Sequence, residues 1–249
     1  MKEKLTTRQY WEDYYSRNHA DVKHIVTVCS YYDTFWEQFI SAPNATKTII
    51  EIGGFPGRYL AYLSQKYQLQ PTCLDYNSDT SQIENTFKVM NVNNYSILQE
   101  DFTTFQTPIK YDYVMSNGFI EHFENFDEIL DLHLSYMKDA SKLLVMIPNM
   151  RGYIRIYKYL LDYNNMKIHN LKCMKLEVFQ SFADRNDLSV KYLNYFGNFP
   201  LGVHQQLNLF QKILHKAHRL VFKKWGNKWV NKYPSKYFSS SIMAIFEKK

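Results

Sequence analysis

The stretch EIGGFPGRYLAYL, residues 51 to 63, constrains the fold of this chain more than any other. The apolar run TIIEI (48–52) enters it, and Tyr59, Leu60, Leu63 and Tyr67 follow on one helical stripe. The pattern predicts a buried parallel strand, a glycine turn and an amphipathic helix. Glycine lets the backbone approach a ligand closely because no Cβ intervenes, and Pro56 suits the first turn of the helix, where a missing N–H costs nothing. Such a cluster alone is equally compatible with a plain tight turn. Its spelling excludes two nucleotide loops. Gly53 and Gly54 are adjacent and the next glycine is Gly57, so GxGxxG is absent, and no GxxxxGK[ST] occurs.

The strand–helix rhythm continues downstream. QPTCLDY (70–76), YSILQEDF (95–102), YDYVMSN (111–117) and SKLLVMIP (141–148) read as strands, with helices over 78–90 and 125–137. After Pro148 an irregular or helical stretch precedes a helix over 175–187 and a strand over 188–196, and the segment 236–248 reads as a closing strand. This alternation predicts an α/β fold, an open sheet with helices on both faces. Residues 1–40 read as helical, with Tyr10, Trp11, Tyr14 and Tyr15 at helical spacing. With 249 residues, a single domain is expected: an N-terminal helical lid over 1–45, a core over 46–148, and insertions with closing strands over 149–249.

Composition narrows the class. Apolar residues make up 45% of the chain, enough for a core. Cys29, Cys73 and Cys173 form no CxxC pair, so neither a zinc ribbon nor a disulfide scaffold is expected, and reduced thiols point to the cytoplasm. The N-terminus lacks an apolar signal-peptide core, and no apolar run approaches the roughly 18 residues of a spanning helix. A net charge of +6 fits an anionic substrate or surface and is small for a dedicated nucleic-acid binder.

Three acids then give the glycine turn a meaning. Glu51, Asp75 and Asp101 stand at the ends of three successive predicted strands. A carboxylate at Asp75 can accept both ribose hydroxyls of an adenosine lying along the strand tips. Asp101 can receive an adenine amino group while Phe102 packs the ring. Each acid singly is also an ordinary turn residue.

This array resembles the class I S-adenosylmethionine-dependent methyltransferases. EIGGFPG matches their first motif, E/D-x-G-x-G-x-G, at Glu51, Gly53 and Gly57; LDY (74–76), EDF (100–102) and YDYVMSNGFIEHF (111–123) resemble the later ones. The resemblance covers residues 45–150 and departs at Phe55, where the middle glycine is missing. It implies a Rossmann-like, seven-stranded, mostly parallel sheet whose last strand is antiparallel. It also implies S-adenosyl-L-methionine as cofactor, with S-adenosyl-L-homocysteine as product. The implied cofactor contacts are Glu51, Gly53, Gly54, Phe55, Gly57, Asp75, Tyr76, Asp101, Phe102, Ser116 and Asn117, with Tyr14 or Tyr15 of the lid shielding the sulfonium or packing into the core.

Methyl transfer to an alcohol needs alignment, water exclusion and loss of the acceptor proton. SNGFIEHF (116–123) follows the fourth strand, where the methyl group would sit, so His122 is the candidate general base, with Glu121 beside it. The alternative is a structural histidine. Some related enzymes bind a metal through ExxEH; here Gly118 occupies the first position and no metal is expected. The Pro-Pro-aromatic signature of exocyclic-amine methylation is absent.

Substrate choice in this fold usually lies after the fifth strand. Asn149, Arg151, His169 and Asn170 are the candidate acceptor contacts, and Arg151 with Arg155 could clamp an anion. EIGGFPGRYL, SNGFIEHF and PNMRG are together similar to bacterial methyltransferases of surface-polysaccharide pathways. That implies a small-molecule acceptor, a sugar or phosphorylated sugar. An RNA methyltransferase and a non-catalytic cofactor-binding scaffold are the alternatives. The basic amphipathic segment 207–229 reads as a lid, a dimer element or a peripheral membrane contact.

Overall fold

The computed structural model describes residues 4–15 and 21–249, the side chains of 13–15 excepted. The expectation for Tyr14 or Tyr15 therefore falls on side chains outside the described residues. Helices α1 (Arg8–Tyr15), α2 (Val22–Ser30) and α3 (Asp33–Phe39) precede β1 (Thr48–Ile52), α4 (Arg58–Tyr67), β2 (Gln70–Leu74), α5 (Ser81–Val89) and β3 (Ser96–Leu98). Next come β4 (Tyr111–Asn117), α6 (Phe126–Leu132), β5 (Met137–Pro148), α7 (Gly152–Leu161) and α8 (Tyr163–Met166). The chain closes with α9 (Leu176–Arg185), β6 (Leu188–Phe196), α10 (Leu209–Val221), α11 (Asn227–Lys232) and β7 (Ser241–Lys248).

The strands form one seven-stranded sheet in the order β3-β2-β1-β4-β5-β7-β6, and only β7 runs antiparallel to its neighbours. This is the Rossmann-like α/β sheet expected. Alternate residues of each strand serve opposite faces. Leu143, Val145 and Ile147 of β5 join Ile242, Ala244 and Phe246 of β7 in one core. Leu144 and Met146 join Met243 and Ile245 in the other. Each fully buried Ile or Phe here stabilises the fold by about 1.5–3 kcal/mol.

Strand direction and order place the site. The chain leaves β1 toward β2 on one side and later returns to β4 on the other, which opens a crevice at the carboxyl ends of these strands. Helices α2 and α3, within the segment expected as a lid, pack into the fold. Ile25, Cys29, Trp36 and Phe39 are fully buried in one core with Tyr59 and Leu60. The part of the N-terminal region that crosses the crevice is the strap 4–15: Leu5 N donates to the His122 carbonyl at 2.8 Å, and Lys4 bridges Phe123.

Three local expectations shift. Pro56 lies within the turn, after a cis Phe55–Pro56 bond, and α4 starts only at Arg58, with Gly57 at φ 86° as its N-cap. The third strand stops at Leu98, because Gln99 turns its side-chain amide to the Asn77 and Ser78 carbonyls and Asp101 closes a turn on Thr103. The helix expected over 125–137 ends at Leu132, and β5 begins early, at Met137, with Ala140 at φ 55° within it.

Helix α10 is mounted with its apolar stripe outward. Leu209, Phe210, Ile213, Leu220 and Val221 are all more than half exposed. The opposite, polar face docks on α7: Gln211 Nε2 donates to the Leu160 carbonyl at 2.8 Å, and His215 and His218 hydrogen-bond the Tyr157 and Tyr153 hydroxyls, each at 2.8 Å. Beyond it, Phe222 stacks on Phe199 at 3.9 Å within a small third core. An amphipathic helix ordinarily buries its apolar stripe.

Candidate functional site

The crevice forms a partly open cleft whose enclosed volume is about 60 Å³, within about 680 Å³ of space that includes solvent at its mouth. Its floor is the glycine turn. Gly53 has φ +65°, and a Cβ there would sit 2.4 Å from Phe119 Cδ2, so both backbone conformation and space require glycine. Gly54 and Gly57 are buried behind this surface, against Cys73 and Ile83 respectively. Phe55 is 6% exposed and packs with the second core while its edge borders the cleft. The missing glycine is thus replaced by a ring turned mostly into the fold.

Asp75 lines the cleft. Its carboxylate accepts from Phe55 N at 3.2 Å and from Asn77 N at 2.9 Å, and burial pushes its pKa up against these bonds. Tyr76, Asp101, Phe102 and Asn117 line the cleft too. Lys4 of the strap reaches Asp101 at 2.5 Å and lies 4.7 Å over the Tyr76 ring. Glu51 is 3% exposed and sits beneath the loop, outside the cleft lining. Its Oε1 accepts from Asn117 Nδ2 at 2.9 Å, while burial raises its pKa to about 7. Glu51 Oε2 and Asn117 Oδ1 are buried without a hydrogen-bond partner among the described residues. Ser116 is also set back, hydrogen-bonded at 3.0 Å to buried His133.

The residues fit an adenosine-containing cofactor: a glycine floor that a Cβ would fill, a strand-end carboxylate at Asp75, a second at Asp101, and orphaned polar atoms at Asn117. Sequence reasoning missed Lys4, Thr6 and Asn77 in the lining. Asn77 stands two residues beyond Asp75 and was findable as part of that turn. Lys4 and Thr6 arrive from distant sequence, and nothing local marks them.

A second, wider cavity adjoins the first and shares Trp11, Asn117, Gly118 and His122 with it. On its wall stand Glu121, His122 and His169. Trp11 packs edge-on against His122 with centroids 4.8 Å apart, and its Nε1 donates to Thr6 Oγ1 at 3.1 Å. His122 Nδ1 donates to the Ile168 carbonyl at 3.0 Å and His169 Nδ1 to the Asn165 carbonyl at 2.7 Å. Burial holds both imidazoles neutral, with pKa values near about 3 and about 4. Burial drives the Glu121 carboxyl up to about 8.

The other candidate acceptor contacts are placed differently. Asn149 borders this cavity, but its amide is spent on the Lys236 and Ser239 carbonyls. Asn170 is buried and donates to the Phe123 and Glu124 carbonyls, so it braces the His122 turn. Arg151 reaches the Met174 carbonyl at 3.4 Å, and Arg155 is exposed on α7; neither borders the cavity.

The sheet order and the strand-tip cleft define a class I methyltransferase fold. Residues 25–190 match the model of the methyltransferase domain family, and the chain belongs to that family. Solved structures agree in fold. Coclaurine N-methyltransferase bound to N-methylheliamine and S-adenosylhomocysteine is 15% identical, with a TM-score of 0.57 over 90% of this chain and 73% of that one. A SAM-dependent methyltransferase from Archaeoglobus fulgidus is 16% identical, with a TM-score of 0.56 over 96% and 100%. The plantazolicin methyltransferase BpumL in complex with S-adenosylhomocysteine is 14% identical, with a TM-score of 0.55 over 97% and 90%. Among curated proteins none matches the sequence.

Proposed function

We propose that the protein is an S-adenosylmethionine-dependent methyltransferase that methylates a hydroxyl of a small polar acceptor, a sugar or phosphorylated sugar of surface-polysaccharide synthesis. The observation that carries this reading is the meeting of two cavities at Asn117, Gly118 and His122, one fitted to adenosine and one open to an acceptor. The cofactor would supply a methyl group on a sulfonium, transferred to the acceptor oxygen with S-adenosylhomocysteine as the leaving group. Asp75 and Asp101 hold the nucleoside end, and Gly53 lets the backbone approach. Asn117 anchors the methionyl end, itself positioned by Glu51. Trp11 and Phe119 exclude water where the cavities join.

His122 and Glu121 face the acceptor. With Nδ1–H tied to Ile168, the His122 Nε2 lone pair is the one left to take the acceptor's hydroxyl proton in a hydrogen bond. A labelled-methyl screen over sugars, sugar phosphates, nucleotide sugars and RNA tests the reading. His122→Ala is expected to retain S-adenosylhomocysteine binding and lose most turnover. Methylation of RNA alone, with steep salt dependence, would replace the acceptor class.

The protein works in the cytoplasm, where its three buried thiols stay reduced, and it touches an anionic membrane surface through α10. The outward stripe of Leu209, Phe210, Ile213 and Leu220 is bordered by Lys212, Lys216 and Lys223, the pairing of apolar face and basic rim that suits an anionic bilayer. No described helix is long and apolar enough to cross a membrane.

A further inference from the structure

The wall of the acceptor cavity carries more than a hydrogen-bonding pair. Glu121, His122 and His169 bring one carboxylate oxygen and two imidazole nitrogens within 4.8 Å of one another, from a one-turn helix after β4 and from the loop after α8. His122 Nε2 lies 3.8 Å from Glu121 Oε1. Ligand atoms around a tetrahedral zinc with bonds of about 2.0–2.1 Å stand about 3.4 Å apart. Closing the group to that spacing shortens the widest separation by about 1.4 Å at most.

Two details set this group apart from an ordinary buried cluster. Both imidazoles spend Nδ1–H on a backbone carbonyl, Ile168 for His122 and Asn165 for His169. That fixes the tautomer with an Nε2 lone pair available on each ring, the arrangement that backing hydrogen bonds impose on metal-ligating histidines. Glu121 is 1% exposed, and its Oε2 has no hydrogen-bond partner among the described residues. A buried carboxylate oxygen left unpaired costs on the order of several kcal/mol unless something neutralises it. No Lys or Arg makes a salt bridge to it among the described residues. A divalent cation would supply the missing charge.

We propose that Glu121, His122 and His169 form a binding site for one divalent transition-metal ion of the zinc class, its open position facing the acceptor cavity. The donor set, two imidazoles and one carboxylate, suits zinc or ferrous iron and disfavours magnesium or calcium, which take oxygen ligands. Gly118 fits the same picture: a Cβ there would lie 3.4 Å from Glu121 Oε1, so glycine leaves the carboxylate room to turn. The open position would take an oxygen of the acceptor, a hydroxyl or a vicinal pair, and hold it at the junction of the two cavities. With the ion bound, the His122 Nε2 lone pair is spent on it and no longer takes the acceptor's proton; the ion would instead lower the pKa of the hydroxyl it holds, which would release its proton to solvent. This assignment rests on the reading of that cavity as the acceptor site, but metal binding is measurable without any acceptor.

The test uses the full-length chain, stripped with chelator and dialysed. Zn²⁺ is titrated calorimetrically and Co²⁺ by its visible absorption. One equivalent is expected to bind, with a Co²⁺ spectrum of four- or five-coordinate form. Glu121→Gln and His169→Ala should each weaken Zn²⁺ binding at least about 10-fold. His204→Ala, an exposed histidine on the same cavity, should leave Zn²⁺ affinity unchanged. Far-UV circular dichroism and S-adenosylhomocysteine affinity, measured on each variant, separate loss of the site from loss of the fold. Equal Zn²⁺ affinity in the wild type and both ligand variants overturns the proposal, as does the absence of binding; Glu121 is then a neutral buried acid. If metal binds as expected while no acceptor is methylated, the metal site stands and the methyltransferase reading falls.

Discussion

Lys4 pairs with Asp101 across 97 residues of sequence, its ammonium 2.5 Å from the carboxylate. The pair occupies the strand tip at which a cofactor's adenine would be read. Both side chains are about a third exposed, and an ion pair so placed is worth roughly 0–1 kcal/mol. Lys4 therefore competes weakly with the nucleoside for Asp101. Lys4→Ala should tighten S-adenosylhomocysteine binding by up to about 5-fold in calorimetry. Weaker binding would instead make Lys4 a cofactor contact.

The glycine floor makes a sharper prediction. Gly53→Ala must place a Cβ against Phe119 at φ +65°. Strain and overpacking together should cost about 1–3 kcal/mol, and cofactor affinity should fall below detection. Gly202→Ala is the matched control, since a Cβ there would meet nothing within 4 Å. Its melting temperature should not move.

Asp162 is fully buried and holds α7 to the loop after β6. It accepts from Lys158 Nζ at 2.9 Å and from His204 N at 2.8 Å. Burial pushes its pKa up, but the His204 hydrogen bond and the Lys158 charge more than offset this and bring it to about 2. A carboxyl whose folded pKa lies below its unfolded value near 3.9 stabilises the fold at neutral pH and loses that stabilisation as pH falls. The contribution, on the order of 2 kcal/mol, should disappear between about pH 5 and pH 2. Asp162→Asn should flatten that part of a denaturant-midpoint profile; an unchanged acid limb would show that the pair contributes nothing.

The outward stripe of α10 predicts lipid dependence. Sedimentation with vesicles containing phosphatidylserine should carry the protein down, and neutral vesicles should not. Ile213→Asp with Leu220→Asp should abolish the effect without lowering the melting temperature, because both residues are more than 60% exposed. Retained binding would move the contact elsewhere.

Much of the fold was legible because it is local. TIIEI, LDY and SNGFIEHF carry strand periodicity and strand-end chemistry within a few residues of each other, and the sheet places Asp75, Asp101 and Asn117 on one cleft as read. What stayed hidden depends on contacts distant in sequence. Ser116 reads as a cofactor contact, yet His133 takes its hydroxyl. Asn170 reads as an acceptor contact and instead braces the turn of Glu121 and His122. The stripe of α10 is evident in the sequence, but which way it faces depends on the partners of His215 and His218 on α7. His169 joins Glu121 and His122 only through the loop after α8, 47 residues after His122, so the spacing within SNGFIEHF could not include it.

The strap has a consequence for how the protein handles two ligands. Trp11 belongs to the walls of both cavities, with Lys4 and Thr6 on the cofactor side and Tyr10 on the acceptor side. A segment that forms part of two walls cannot settle against one ligand without altering the surface offered to the other. The two affinities are therefore linked, and thermodynamics requires the linkage to be equal in both directions. Calorimetric titration of S-adenosylhomocysteine with and without a bound acceptor should therefore show the same change in affinity in either order, and unchanged affinities would show that the shared wall couples nothing.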